Sequence, residues 1–188
     1  DGAKKFARDN QLILMSTELD MYDSCIKIAA QGGTDLSDTD RIPIESLAEE
    51  ILFSNEFTIE GSDFSKAGMV STEVKSILKK IGFDPKLVRR VAISTYEGEM
   101  NVVMHAVRAK VNLTVTPKMV EVVIADEGKG IPNVEEAMVE GFTTATEEMR
   151  AMGFGSGMGL PNIKRNSDNL EVTSEVGKGT TLRIKFFI

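Results

Sequence analysis

The stretch VEVVIADEGKGI, residues 120–131, decides how the rest of the chain is interpreted. Its first half, Val120 to Ala125, is apolar apart from Glu121, which is typical of a strand buried in a sheet. Asp126 follows directly, so its carboxylate emerges where that strand ends. Proteins that combine helices with a sheet commonly bind ligands at strand ends. We therefore expect a functional carboxylate at residue 126.

A second stretch, GFGSGMGLPNIK over residues 153–164, is rich in glycine and then becomes compatible with a helix. Glycine clusters are common in ordinary turns, so this pattern alone does not define a site. A glycine-rich turn that opens a helix nevertheless exposes backbone N–H groups at the positive end of the helix dipole. Such a turn predicts a binding site for phosphate groups.

A third group of residues lies on the helix that Asp84 and Pro85 are predicted to open, as N-cap and first helical residue. On this helix Glu97 and Asn101 are four residues apart and share one face. An amide can coordinate a hard cation whose other ligands are phosphate and water, and a carboxylate can accept a proton from an attacking hydroxyl. Alternatively, both are solvated surface residues. Gly98 between them costs the helix about 1 kcal/mol relative to Ala, so either something approaches that surface closely or the cost is tolerated.

Composition narrows the class of protein. The chain has 188 residues, 41% of them hydrophobic, which is enough for one domain of ordinary size and an extension. Its net charge of -7 argues against non-specific nucleic-acid binding, which requires Lys and Arg to neutralise phosphates. The single cysteine, Cys25, excludes an internal disulfide, and no segment resembles a membrane span or a signal peptide. We therefore expect a soluble, cytoplasmic protein that binds neither nucleic acid nor membranes.

The charge is unevenly distributed along the chain. Residues 1–52 hold 11 of the 29 acidic residues but only 5 of the 22 basic ones, so the remainder is nearly neutral. This shift predicts an acidic N-terminal extension and linker over 1–52 and a main domain over 53–188. Within the extension, an apolar run at 12–15 and a capped helix over 21–30 predict one strand-helix unit, and residues 42–52 a short helix. The unit resembles the closing piece of DRTGG-type domains.

In the main domain, apolar spacing predicts strands at 53–60, at 111–115 and up to Asp126. It also predicts helices over 67–81 and from Pro85 through Val107 or beyond. Two further strands, 170–176 and 181–188, are predicted to form a final hairpin. Residues 132–152 are mixed and interrupted by glycine, and they are too long for an ordinary connection, which indicates a lid.

The order of these motifs resembles that of the GHKL ATPase superfamily. Its boxes are a helix with Glu-x-x-x-Asn, Asp-x-Gly-x-Gly-Ile at a strand end, a lid, Gly-x-Gly-x-Gly-x-Gly-Leu, and Gly-Thr in the last hairpin. All occur in this order between residues 53 and 188, and the chain is most similar to the small bacterial anti-sigma factor kinases. The resemblance implies an α+β fold of the GHKL (Bergerat) type. This is a two-layer α/β sandwich with a mixed, mostly antiparallel sheet and helices on one face, to which the N-terminal βα extension is added.

The resemblance also implies roles for individual residues. Asn101 matches the residue that binds Mg²⁺ beside the phosphates of ATP, and Glu97 matches the general base. Asp126 matches the carboxylate that accepts from the adenine amino group, and Thr180 matches the hydroxyl that reaches adenine, usually through water. The other matching positions belong to the two glycine boxes: Gly128, Gly130 and Ile131 in the first, and Gly153, Gly155, Gly157, Gly159 and Leu160 in the second.

The activity that the resemblance implies is transfer of the γ-phosphate of Mg-ATP to a Ser or Thr of a partner protein. An anti-anti-sigma factor would be the substrate, a sigma factor the second partner, and a homodimer the assembly. A nucleotide-gated binding module that transfers little phosphate would carry the same motifs. The ATP-binding domain of a sensor histidine kinase is a third interpretation, although the only histidine, His105, lies inside the nucleotide helix. Whether His105, Arg150 or the hydroxyls of Thr143 and Thr144 face the site stays open.

Overall fold

A computed structural model describes residues 51–188 of the chain. The predicted strand-helix unit, the linker, Cys25 and all but the end of the helix expected at 42–52 lie outside these residues, so the division at residue 52 remains a prediction. In chain order the elements are β1 (Phe53–Glu60), a 3₁₀ turn (Phe64–Lys66), α1 (Met69–Ile81), α2 (Pro85–His105), β2 (Ala106–Val115), β3 (Met119–Gly128), α3 (Val134–Ala137), α4 (Glu147–Ala151), α5 (Gly159–Asn166), β4 (Asn169–Glu175) and β5 (Gly179–Phe187).

The five strands form one sheet in the order β1-β2-β3-β5-β4, and every neighbouring pair is antiparallel. Side chains alternate across the sheet: in β3, Val120, Val122 and Ile124 are fully buried in the core, whereas Ala125 on the opposite face is exposed. The helices cover one face only. This confirms the α+β two-layer sandwich that the resemblance implied. Within residues 51–188 no parallel pair occurs, and β3 is buried on one face rather than on both.

Two helix boundaries, the start of α2 and the end of α1, fall where the sequence signals predict. Asp84 caps α2, because its Oδ1 accepts hydrogen bonds from the N–H groups of Lys86 (2.8 Å) and Leu87 (3.4 Å). Gly82 ends α1 in the left-handed conformation with φ 103°, and its N–H bonds to the carbonyl of Leu78. Among residues 51–188, no helix combines the length and the apolar character that crossing a bilayer requires.

The N-terminus of α1 is capped from a distance. Gly68 precedes the helix and has no side chain with which to bond the free N–H groups of the first turn. Instead, the buried Glu99 of α2 accepts from the N–H of Val70 at 3.1 Å and of Ser71 at 3.0 Å. A carboxylate at the positive end of a helix is stabilised by both the hydrogen bonds and the dipole. Glu99 therefore fastens α1 to the helix that bears Glu97.

The predicted boundary between α2 and β2 is wrong. The helix ends at His105 and the strand begins at Ala106, whereas the spacing favoured a helix through Val107 and a strand from residue 111. Sheet pairing explains the difference: Arg108 is paired with Glu60 of β1 and Glu127 of β3, and Gly61 donates its N–H to the carbonyl of Val107 at 2.8 Å. These long-range hydrogen bonds outweigh the local helical preference.

Candidate functional site

One cavity of about 470 Å³ opens between α2, the ends of β3 and β5, the segment 132–152 and the glycine-rich loop. Ile124 and Leu182 of the sheet contribute apolar surface to it. The predicted site residues that line it are Glu97, Asn101, Asp126, Gly130, Ile131, Gly153, Gly155, Gly157, Gly159, Leu160 and Thr180. Segments that are remote in sequence therefore meet around one space. Gly128 is the predicted residue that does not line this cavity.

Asp126 presents one fixed and one free carboxylate oxygen. Its Oδ1 accepts a hydrogen bond from the backbone N–H of Thr180 at 3.1 Å, which ties the end of β3 to β5. Its Oδ2 accepts no hydrogen bond from residues 51–188. Burial raises the pKa of Asp126 above its ordinary value, and the Thr180 N–H opposes that shift. A partly desolvated carboxylate with one free oxygen is a strong acceptor for an N–H donor on a ligand.

Two glycines bring the backbone close to Asp126. A Cβ atom at Gly128 would lie 2.8 Å from Asp126 Oδ1 and 3.1 Å from the Cα of Ala106. A Cβ atom at Gly179 would lie 3.0 Å from the same oxygen and would collide with the backbone carbonyl of Asp126. Any larger residue at either position would displace the carboxylate. Gly128 thus packs beside the carboxylate.

Ser174 on β4 joins the first glycine box to the final hairpin. Its Oγ accepts from the N–H of Ile131 at 2.7 Å, donates to the carbonyl of Gly179 at 3.0 Å and lies 2.9 Å from Thr180 Oγ1. Gly130 is required next to this junction, because a Cβ there would collide with the carbonyl of Glu175 and its φ of 70° disfavours any side chain. One hydroxyl therefore connects three segments around Asp126.

The α2 wall of the cavity faces the beginning of α5. Glu97 and Asn101 both lie against Gly159, where a Cβ atom would be 3.2 Å from Asn101 Oδ1 and 3.7 Å from Glu97 Oε2. Glu97 Oε1 accepts a hydrogen bond from Asn162 Nδ2 at 2.7 Å. Gly98 is explained by packing, since a methyl group there would collide with Ile124 Cδ1. Glu97 and Asn101, which share one face of α2, thus lie against the backbone at the N-terminus of α5, because Gly159 places no side chain between them.

The glycine-rich loop and the segment 132–152 pack on each other. Gly155 has a φ of 79°, and a Cβ atom there would collide with the buried side chain of Ala145. Gly141 donates its N–H to the carbonyl of Gly157 at 3.0 Å, and a Cβ at Gly157 would lie 2.7 Å from the Cα of Gly141. The predicted lid consists of the short helices α3 and α4 with irregular chain between them.

The residues whose orientation was open in the sequence now divide into two groups. His105, Thr143 and Thr144 line the cavity. Burial lowers the pKa of His105, and the positive charge of Lys129 adds to that shift, so the imidazole is neutral near pH 7. Arg150 does not line the cavity and instead donates to the carbonyl of Ala145 at 3.0 Å. This arginine stabilises the lid segment itself.

A metal ion bound here would depend on its ligand for most of its coordination. Within residues 51–188, no group of three or more His, Cys, Asp and Glu residues could hold a cation without other ligands. The amide of Asn101 faces space that a Cβ at Gly159 would fill. One amide oxygen, completed by phosphate oxygens and water, suits Mg²⁺, which keeps several waters and is usually bound together with a phosphorylated substrate. The residues present therefore fit a Mg²⁺ ion carried by a nucleotide.

Comparison with known families decides the class of domain. The family model described as histidine kinase-like ATPase domain matches residues 63–186. The chain belongs to this family. The match confirms the family resemblance, and it includes α2, β3, the glycine-rich loop and the final hairpin.

The proteins that this chain is similar to include bacterial anti-sigma F factors and a serine/threonine-protein kinase. An anti-sigma F factor of Caldanaerobacter subterraneus subsp. tengcongensis is 36% identical over 112 residues, which cover 56% of this chain and 75% of the relative. The serine/threonine-protein kinase RsbT of Bacillus subtilis is 26% identical over 113 residues, which cover 58% of this chain and 79% of the kinase.

A crystal structure supports the fold alone. The structure of the RsbU and RsbW domains of a Mycobacterium tuberculosis protein aligns with a TM-score of 0.51 at 15% identity, covering 71% of this chain and 32% of that one. The aligned region is thus about a third of the solved chain.

Three residues of the ATPase domain escaped sequence analysis. Asn162 contacts Glu97, Ser174 joins the glycine box to the hairpin, and Lys129 lines the cavity. Lys129 stands inside the first glycine box, so its position could have been inferred from the motif. Asn162 and Ser174 lie beside motifs, but the contact of Asn162 with Glu97 spans 65 positions of the chain and that of Ser174 with the N–H of Ile131 spans 43. No local pattern identifies such contacts.

Proposed function

We propose that this domain binds Mg-ATP in the cavity and transfers the γ-phosphate to a Ser or Thr of a partner protein, as a partner-switching regulator of the anti-sigma factor type. The observation that carries the proposal is the convergence of Asp126, Asn101 and the glycine-rich loop on one cavity. Its volume of about 470 Å³ lies within the range of roughly 300–1,000 Å³ that is usual for small-ligand sites.

Asp126 would select the base. Its free Oδ2 can accept from the exocyclic amino group of adenine, while Oδ1 stays bonded to Thr180. Guanine carries a carbonyl oxygen at the corresponding position, so two acceptors would face each other and binding would lose free energy. The Thr180 hydroxyl, already 2.9 Å from Ser174 Oγ, can also bond to the base directly or through water.

The triphosphate would lie along the glycine-rich loop towards α5. Gly155, Gly157 and Gly159 present backbone without side chains, and the N–H groups at the start of α5 favour negative charge. Asn101 would hold Mg²⁺ together with phosphate oxygens and water. When bound, the ion neutralises charge on the phosphates.

Glu97 would act as the general base. The partner's hydroxyl gives its proton to the Glu97 carboxylate while its oxygen forms a bond to the γ-phosphorus, and the bond from that phosphorus to the bridging oxygen breaks to release ADP. The protein contributes mainly by positioning these groups and by excluding water.

The partner class is proposed from the relatives named anti-sigma F factor and serine/threonine-protein kinase RsbT. An anti-anti-sigma-like protein is the proposed acceptor and a sigma-like factor the second partner; a homodimer is part of the proposal and is testable by light scattering.

Calorimetry tests the binding site. Wild-type protein should bind ATP more tightly than GTP, and ATP more tightly with Mg²⁺ than without it. Asp126→Asn places an amide N–H₂ group or a neutral oxygen at the adenine. The loss of a hydrogen bond to a charged group costs about 1.5–3 kcal/mol, or roughly 10- to 150-fold in ATP affinity. Equal affinity of the variant and the wild type for ATP would remove Asp126 from the site.

Single-turnover incubation with γ-labelled ATP and a purified anti-anti-sigma-type protein tests the transfer. The proposal requires acid-stable phosphoserine or phosphothreonine on the acceptor, and Glu97→Gln should still bind ATP but transfer phosphate roughly 100- to 10,000-fold more slowly. A protein that binds ATP but leaves no phosphate on the acceptor would be a nucleotide-gated binding module. Acid-labile phosphate would instead indicate a histidine kinase.

A further inference from the structure

Among residues 51–188, the side chain of the candidate base Glu97 has one hydrogen-bond partner, and it comes from a different element. Asn162 of α5 donates from Nδ2 to Glu97 Oε1 at 2.7 Å, across 65 positions of sequence. Asn162 itself does not line the cavity, whereas Glu97 does. The second carboxylate oxygen, Oε2, accepts no hydrogen bond from residues 51–188 and lies towards Gly159. The contact with Asn162 therefore leaves one oxygen of Glu97 free.

Arg165, one turn further along α5, determines which way the Asn162 amide points. Its Nη2 donates to Asn162 Oδ1 at 2.6 Å. A guanidinium group can only donate, so the amide oxygen must face Arg165 and the amide N–H₂ must face Glu97. The opposite orientation would place an N–H₂ group against Arg165 and an oxygen against the Glu97 carboxylate. The amide orientation thus follows from chemistry at both ends.

The contact between Arg165 and Glu140 adds little energy but connects the lid. Arg165 Nη1 lies 2.6 Å from Glu140 Oε1, and the two side chains are 53% and 61% exposed. Exposed ion pairs of this kind contribute roughly 0–1 kcal/mol. Its effect is geometric, because it holds the guanidinium between the lid residue and the amide. The four side chains form an unbroken series of hydrogen bonds from Glu140 in the lid to Glu97 in the cavity.

We propose that Asn162 is a positioning residue that orients the Glu97 carboxylate for proton transfer, and that Arg165 sets the orientation of Asn162. The inference rests on the proposed function, because it assigns Glu97 the task of accepting a proton. A carboxylate that lacks this partner can rotate about its last side-chain bond, which moves the accepting oxygen away from the hydroxyl. Displacement of a reacting group by about 1 Å can lower a rate roughly 100-fold.

The test compares Asn162→Ala with Asn166→Ala. Asn166 is on the same helix and also forms a side-chain hydrogen bond, from Nδ2 to the carbonyl of Asn162, but it does not contact Glu97. Each variant is measured for ATP affinity by calorimetry, for single-turnover transfer to the acceptor protein, and for thermal stability. Asn162→Ala should lower the transfer rate roughly 10- to 100-fold while ATP affinity changes less than about twofold. Asn166→Ala should retain the wild-type rate, and Arg165→Lys should give an intermediate one.

A double variant separates positioning from loss of structure. In a Glu97→Gln background the base is absent, so Asn162→Ala should reduce the residual rate no further. If Asn162→Ala lowered the rate in the Glu97→Gln background as much as it does when Glu97 is present, the inference would be overturned. A wild-type rate in the single variant Asn162→Ala would overturn it as well. Wild-type protein that neither binds ATP nor phosphorylates the acceptor overturns the proposed function, and the inference with it. Transfer by the wild type together with an unaffected Asn162→Ala variant overturns the inference alone.

Discussion

A methyl group at Gly98 should disturb the sheet contact of the helix that bears Glu97 and Asn101. In the structure, the Cβ atom of Gly98→Ala would collide with Ile124 Cδ1 and would lie 3.6 Å from Leu182 Cδ1. Ile124 is 1% exposed, and the free space next to its side chain is the cavity that it lines. Either this side chain leaves its preferred rotamer or α2 moves away from β3.

Two opposing terms set the magnitude of the effect. Overpacking a core by one methyl group costs about 1–3 kcal/mol. Alanine stabilises a helix interior by about 1 kcal/mol relative to glycine. The free energy of unfolding should therefore fall by about 1 kcal/mol in Gly98→Ala. Ile124→Val removes Cδ1, the atom with which the new methyl collides, and leaves Cγ1 at 3.8 Å from it. In that background only the helix term remains, so the same substitution should stabilise the protein by about 1 kcal/mol.

Urea unfolding followed by circular dichroism measures all four proteins of this cycle: wild type, the two single variants and the double variant. The expected signature is a change of sign in the effect of Gly98→Ala between the two backgrounds. ATP affinity, measured in parallel, should fall in the single variant and recover in the double one. A stabilising effect of Gly98→Ala in the wild-type background would refute the packing argument, and so would equal destabilisation in both backgrounds.

Three further changes test other parts of the framework. Glu99→Gln leaves one oxygen for the N–H groups of Val70 and Ser71, so the urea midpoint should fall by the equivalent of about 1.5–3 kcal/mol. An unchanged midpoint would contradict the capping of α1 by Glu99. Ser94 is fully buried, and its Oγ has no hydrogen-bond partner within residues 51–188. Ser94→Ala should therefore leave the free energy of unfolding unchanged or raise it by up to about 1 kcal/mol, and a clear decrease would contradict the absence of a partner. Because the pKa of His105 is lowered in the folded protein, folding favours the neutral imidazole. The stability that this contributes is present above the ordinary histidine pKa and is lost as the pH falls through the pKa of the folded protein. Between about pH 7.5 and about pH 5 the wild type should lose more stability than His105→Gln, and equal losses would exclude the buried imidazole as the cause.

Elements with local signals could be predicted well. Asp84 followed by proline predicts the start of α2, and Gly82 predicts the end of α1, because each signal acts on its own turn of helix. The carboxylate at the end of β3 could be located for a similar reason, since an apolar run followed by Asp126 requires no knowledge of distant residues. These local features also carried the order of motifs that identified the family.

Features that depend on distant partners could not be predicted. The helix that continues to His105 turns into β2 at Ala106 because strands β1 and β3 supply hydrogen bonds from both sides. Gly98 indicated a close approach, but only the sheet reveals that Ile124 makes it. Asn162 has no local signature, because its significance comes from Glu97 on another helix. Sequence analysis therefore identified the residues of the cavity better than the contacts that hold them in place.

The packing of Ala145 into the space beside Gly155, and the bond from Gly141 to Gly157, have a mechanical consequence. An outward shift of residues 141–145 that left the glycine-rich loop in place would break this hydrogen bond and the Ala145 contact, so we expect the two segments to move together. Val139 and Met152, which lie next to these two segments in the sequence, are more than half exposed to solvent. A protein resting on those side chains would sense a change in the loop behind them without entering the cavity.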